Sequence, residues 1–258
     1  MQNYLFSVLT VAASLGLYRL FGKIMPVSKS KYFTNKTYAQ LRMEYLGFDL
    51  RFIGLTVLLT VVLIYFFYQL LRVISDFRIG NVEDAGILIR PDIAFLLLPA
   101  FFDGMLVAAV LASALGKRHL KDKWGEFMAY YNLKYKFNYE LAMGYVLRFV
   151  AILVIPLSVL VLDLFSSFGA QSIKLNGFMG FGTKTYNYEE VSGVTRVLKS
   201  KAPNGDIVNA PDTVITFKDG TEWSTRGDGS AEGGINPGIV DLVVVKTNQQ
   251  IVEKEFAD

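Results

Sequence analysis

The stretch Phe52–Leu71, FIGLTVLLTVVLIYFFYQLL, decides the fold class. It carries no charge, and only Thr56, Thr60 and Gln69 are clearly polar. A helix rises about 1.5 Å per residue, so a run of this length spans roughly 30 Å, the thickness of a bilayer's hydrocarbon core. A run that is apolar on every face has no solvated side, which predicts a transmembrane helix rather than a surface one. Arg51 and Arg72 bracket it, and Tyr65 and Tyr68 lie towards its second end.

Three further spans follow by the same reasoning. Tyr4–Gly22 is shorter and weaker, a span with Arg19 near its end and able to snorkel to the interface, with an interfacial helix as the alternative. No basic residue precedes it, unlike a secretory signal peptide, so it is expected to stay in the mature chain. Ile93–Gly116 carries Asp103 near its middle, with Pro99 and Gly104 on either side. The last span, Met143–Phe165, has Arg148 near its start, Pro156 inside and Asp163 near its end. The expected fold is a membrane α-helical domain over 1–168, with spans at about 4–22, 52–72, 93–116 and 143–165. From Gly169 onwards Gly, Thr, Asn, Asp and Lys become common, which predicts a soluble, mostly-β domain over 169–258 with a C-terminal helix.

Composition limits the chemistry. The chain is 52% hydrophobic and only 19% charged, where soluble domains carry about 25%. A net charge of +3 is too small to suggest nucleic acid. The absence of cysteine excludes thiolate catalysis, disulfides and cysteine metal sites. One histidine, His119, excludes multi-histidine metal sites. Its place after Lys117-Arg118, at the end of a span, marks it as an interface residue. We therefore expect no catalytic residues, no metal ligands and no cofactor.

Two long connections, Lys23–Arg51 and Lys117–Ala142, are basic and aromatic. Leaving Arg51 aside, they hold eleven Lys and Arg, against two in Ser75–Asp92. The positive-inside rule places both in the cytoplasm, and puts Ser75–Asp92 and the C-terminal domain outside. Thr37–Leu46 reads as a helix on the membrane surface, with Tyr38, Leu41 and Tyr45 on one face, or as an ordinary flanking loop. Trp124, Phe127 and Tyr131 follow helical spacing and predict a second helix at the headgroup level.

The halves share a weak internal repeat. LGFDLRF (Leu46–Phe52) aligns with MGYVLRF (Met143–Phe149) at an offset of 97, and each half runs span, basic connection, arginine-led span. Such a duplication gives a repeated helix pair. Arg51 and Arg148, its best-defined pair, would meet lipid headgroups or form a paired site for an anionic lipid or an acidic partner. Asp103 is the sharpest single residue. A carboxylate at mid-membrane costs about 2.5–3.5 kcal/mol on insertion scales, so it needs a partner, water or another subunit. It serves an ion or proton path, a contact with another membrane protein, or the bundle itself. Asp163 lies nearer the outer boundary and is expected to be solvated.

In the C-terminal part, Lys218-Asp219-Gly220 between TVITF and TEWST predicts a hairpin, and Asn204-Gly205 a second turn. Thr185–Tyr188 and Val191–Leu198 are further strands. Pro237 opens a helix over Gly238–Lys246, and Ile251–Phe256 is a last strand or a continuation of that helix. Gly227–Gly238 reads as a flexible loop rather than a phosphate-binding turn. TYNYEEVSGV (Thr185–Val194), VITFKDGTEW (Val214–Trp223) and GIVDLVVVKTNQQI (Gly238–Ile251) resemble the small PH-like β-domains of bacterial membrane proteins. The resemblance implies a bent β-sheet capped by a helix and used for binding and assembly. Many such domains are cytoplasmic, whereas the charge count puts this one outside.

The functional expectation is a non-enzymatic subunit of a larger complex in a bacterial inner membrane. Arg19, Arg51, Arg148, Trp124 and Tyr131 would contact lipid or partner, and the β-domain would dock partners outside. Membrane lipids, other membrane subunits and a second copy of the chain are the expected partners, and nucleic acid is not. The alternative is a small transporter or channel component using Asp103.

Overall fold

A computed structural model describes residues 16, 18–79, 86–90, 93–177, 182–201, 205–226 and 237–256. Residues 4–15 and 17 of the first expected span, and 227–236 of the glycine-rich loop, lie outside these. The chain divides into two compact units, Met1–Phe66 with Phe102–Val154, and Phe67–Phe101 with Ile155–Asp258.

Residues 18–24 form a short helix, α1. Three longer segments are helical and apolar enough to cross a membrane. The first is α2, Tyr38–Ile79. The second holds α3, Ile93–Leu120, joined by one 3₁₀ turn to α4, Trp124–Tyr135. The third is α5, Tyr139–Leu162. Of the four expected spans, these three are present as long apolar helices. Their middles expose what a soluble protein would bury: Val61 is 62% exposed, Phe149 64% and Ile152 70%. Side chains of this kind need an apolar solvent, which fits a membrane-embedded chain.

Helix α2 corrects the reading of Thr37–Leu46. Residues 38–46 of it are helical but not separate, because no glycine–proline break interrupts the chain before Phe52 and the helix runs on for 42 residues from Tyr38. At about 1.5 Å per residue this is roughly 60 Å, twice a bilayer core, so one end must project beyond it. Its Leu41–Tyr45 face does not lie bare for a membrane surface. Leu41 and Tyr45 are buried against Trp124, Phe127, Met128, Tyr130 and Tyr131 of α4. The two aromatic faces that sequence spacing assigns to headgroups cover each other.

Helix α3 packs through a seam of small residues. In the first unit Gly104, Ala108, Ala112 and Gly116 recur every four positions, and all four are buried. A methyl group on Gly104 would sit 2.6 Å from the backbone nitrogen of Ile64 on α2. Without a hydrophobic drive between helices in lipid, such close backbone approach supplies the association. Gly104→Ala should therefore lower stability by about 1–3 kcal/mol, as overpacking does. Gly47→Ala, where an added methyl meets nothing within 4 Å, is the control and should not lower it. Thermal unfolding in detergent micelles reads both.

The second unit carries two four-stranded sheets. One has the order β1-β2-β3-β4, built from Ile87–Ile89, Phe165–Phe168, Ser172–Asn176 and Lys184–Asn187, all antiparallel. The other has the order β7-β6-β5-β8, built from Glu222–Ser224, Ile207–Phe217, Val191–Lys201 and Ile251–Phe256. Here β8 runs parallel to β5, so Ile251–Phe256 is a strand and not a continued helix. Strand β1 comes from the connection between α2 and α3, so that connection is hydrogen-bonded to β2.

The expected hairpin is present between β6 and β7. Gly220 adopts φ +80, which favours glycine, and Phe217 N–H donates to the Thr221 carbonyl at 2.9 Å. Helix α6, Pro237–Thr247, starts on the proline that predicts it and buries Ile239, Val240 and Val243. They join Phe168, Ile173, Val194, Ile215, Phe217 and Trp223 in one core.

Candidate functional site

The densest polar chemistry lies in the first unit, where the first fourteen residues of α2 meet α4. Asp49, only 2% exposed, sits one helical turn beyond Tyr45. Its carboxylate accepts from the Tyr131 hydroxyl at 2.5 Å, the Lys134 ammonium at 2.6 Å and the Tyr130 hydroxyl at 3.1 Å. Lys134 stands three positions from Tyr131 and four from Tyr130, so it neighbours both on α4 and all three reach Asp49. A buried carboxylate is tolerated when paired and fully hydrogen-bonded, and here it is both.

The charges respond accordingly. Burial, then the Asp49 carboxylate, pushes the Tyr130 hydroxyl up to about 12. Tyr131 moves further in the same direction, for burial first and its hydrogen bond to Asp49 second. For Lys134, burial pulls downward, but Asp49 and the tyrosines outweigh it and the ammonium is held above its usual range. The tyrosines are thus fixed as neutral donors and the lysine as a cation. This suits a clamp that fastens the two helices through charge-assisted hydrogen bonds.

A second network borders the first. Glu126 accepts from Tyr45 at 2.7 Å and pairs with Lys36 at 2.9 Å. Lys36 also pairs with Glu44 at 2.7 Å. The hydrogen bond from Lys36, then that from Tyr45, holds the Glu126 carboxyl below its usual range. Asn132 ties in the preceding connection by donating to Ser30 Oγ at 2.8 Å and accepting from the Tyr139 N–H at 2.9 Å.

The predicted site residues fall as follows. Trp124 and Tyr131 are buried within the aromatic cluster, facing the chain's own residues. Arg51 is exposed and lines a cleft with His119, Phe48, Phe52, Leu55 and Leu115. Arg148 is exposed and lies 5.9 Å from the Tyr145 ring. Arg19 is exposed on α1. Asp103 is half-buried, engaged within the chain, and adjacent to the Gly104 crossing. Asp163 is not merely solvated, because it pairs with Arg78 of α2 in the second unit. The best-built polar residue, Asp49, carries no sequence signal beyond being an acid in a basic connection.

Among the described residues no three of His, Cys, Asp and Glu gather as they would around a metal. No family, no curated protein and no solved structure matches the chain.

Proposed function

We propose that the chain is a non-enzymatic integral membrane subunit of a larger complex, which docks a partner protein through the edge of its β-domain. The observation that carries this is strand β8. It closes one side of its sheet, and every residue from Val252 to Phe256 is exposed. Val252, Lys254 and Phe256 share one face by the two-residue period of a strand. Glu253 and Glu255 point the other way, to Arg196 at 3.7 Å and Lys199 at 2.7 Å. Val252 is 54% exposed, and Ile207, on β6 of the same sheet, is 61% exposed. An open edge with apolar side chains is a template for an added strand.

The networks around Asp49 and Glu126 support the same reading, because they fasten helices rather than present reactive groups. In this proposal the basic connections face the cytoplasm and the β-domain docks on the opposite side, as the charge bias favours.

The test places a photo-crosslinking residue at position 252 in the native membrane. A crosslink to a different membrane protein is expected, together with migration above monomer mass on native gels. Val252→Glu with Phe256→Glu should abolish both, while the chain still pellets after alkaline carbonate extraction. Migration of the wild-type chain as a monomer, or crosslinking only to a second copy, would overturn the proposal.

A further inference from the structure

Between α2 and α3 of the first unit lies a cleft of about 370 Å³. Arg51 and His119 stand at its polar end, and Leu55 and Leu115 lie one helical turn deeper on the respective helices. Arg51 immediately precedes the charge-free run Phe52–Leu71, and His119 follows the run that ends at Gly116. The polar end of the cleft therefore falls at headgroup level and its apolar end in the acyl region.

The floor is built rather than accidental. A methyl group on Gly116 would lie 2.9 Å from both the Phe52 ring and the Trp124 ring, so any side chain there would have to displace one of the two rings. Phe48 stacks on His119 with ring centroids 5.7 Å apart and planes 9° from parallel, which fixes the imidazole.

Charge selects the occupant. The first unit holds fourteen Lys and Arg against six Asp and Glu, counting from Arg19 to Phe66 and from Phe102 to Val154. Glu44, Asp49, Glu126 and Glu140 already hold lysine partners. Asp122 stands between Lys121 and Lys123. Arg51, Lys117, Arg118 and Lys121 make no ion pair among the described residues. A guanidinium and an imidazole above an apolar slot match a phosphate above an acyl chain.

The geometry points to a binding site for one anionic glycerophospholipid, with its phosphate on Arg51 and His119 and one acyl chain along Leu55 and Leu115. The carbonyls at the end of α3 oppose an anion, but the cations carried on the same turn outweigh them. The site stands independently of partner docking by β8, since it lies in the other unit and uses none of the same residues.

The experiment incubates the purified full chain in detergent with equal amounts of phosphatidylglycerol and phosphatidylcholine, and counts retained lipid by native mass spectrometry. Phosphatidylglycerol should be retained over phosphatidylcholine, and Arg51→Gln should cut its retention about fivefold, the worth of one cation at an anionic surface. Leu115→Trp, which fills the slot and leaves both polar groups, should also lose it. Arg148→Gln should change nothing, and millimolar inorganic phosphate should not displace the lipid. Equal retention of the two lipids, an equal loss with Arg148→Gln, full retention in Leu115→Trp, or displacement by phosphate alone would overturn the site. Unchanged thermal midpoints of Arg51→Gln and Arg148→Gln, both at exposed positions, confirm that binding and not folding is being read.

Discussion

Asp49→Ala should lower the stability of the first unit by about 3 kcal/mol, the lower end of the range for breaking a buried ion pair, because Lys134 keeps some contact with water. The substitution removes one acceptor but strands three donors: two tyrosine hydroxyls and an ammonium. Replacing both partners is gentler than removing one, since no buried charge is then left behind. Asp49→Ala combined with Lys134→Met should therefore recover more than half of the loss. The measurement is the thermal midpoint in detergent for both single variants and the double variant. Limited proteolysis adds a spatial readout. Cleavage should rise within Lys29–Thr37 and at the turn after Tyr135, where Asn132, Asn138 and Ser30 hold the connection to the end of α4. Additive losses in the double variant would mean that Asp49 and Lys134 do not act as a pair.

Much of this architecture is legible along the chain. Apolar run length marks each long helix, since it needs no partner to be read. The Lys218-Asp219-Gly220 turn and the Pro237 helix start are equally local, because backbone conformation alone selects those residues. What escapes is non-local. Strands β1, β2 and β3 are three to five residues long, and β2 reads Phe-Ser-Ser-Phe directly after an apolar helix, so neither length nor alternation announces it. Tyr45 and Tyr131 show helical faces in sequence, but an aromatic face suits a headgroup layer and another aromatic face equally well. Only the structure shows that they bury each other. The Gly104–Gly116 seam is hidden for a related reason. Ala108 and Ala112 are fully buried, but the closest backbone approach is Gly104 against Ile64, and no spacing in the sequence singles out that glycine. Asp49 is the extreme case, because its three partners stand more than eighty positions away.

Trp223→Ala should cost the β-domain about 3–5 kcal/mol, as truncation of a buried large aromatic does. Trp223 is fully buried although β7 is only three residues long. Its ring meets Phe168 of β2 edge-on with centroids 4.8 Å apart, and its indole N–H donates to Ser166 Oγ at 2.9 Å. One side chain thus joins the two sheets by shape and by hydrogen bond, and alanine supplies neither. Trp223→Phe keeps most of the ring packing and loses the donor, so it should cost only about 1 kcal/mol for the missing hydrogen bond. The chain has two tryptophans, and the other, Trp124, is buried in the first unit. In Trp223→Ala the remaining fluorescence therefore reports the helical unit alone. Circular dichroism should show early loss of β-structure while Trp124 emission holds its native midpoint. A common midpoint for both signals would overturn this expectation and mean that the two units melt as one.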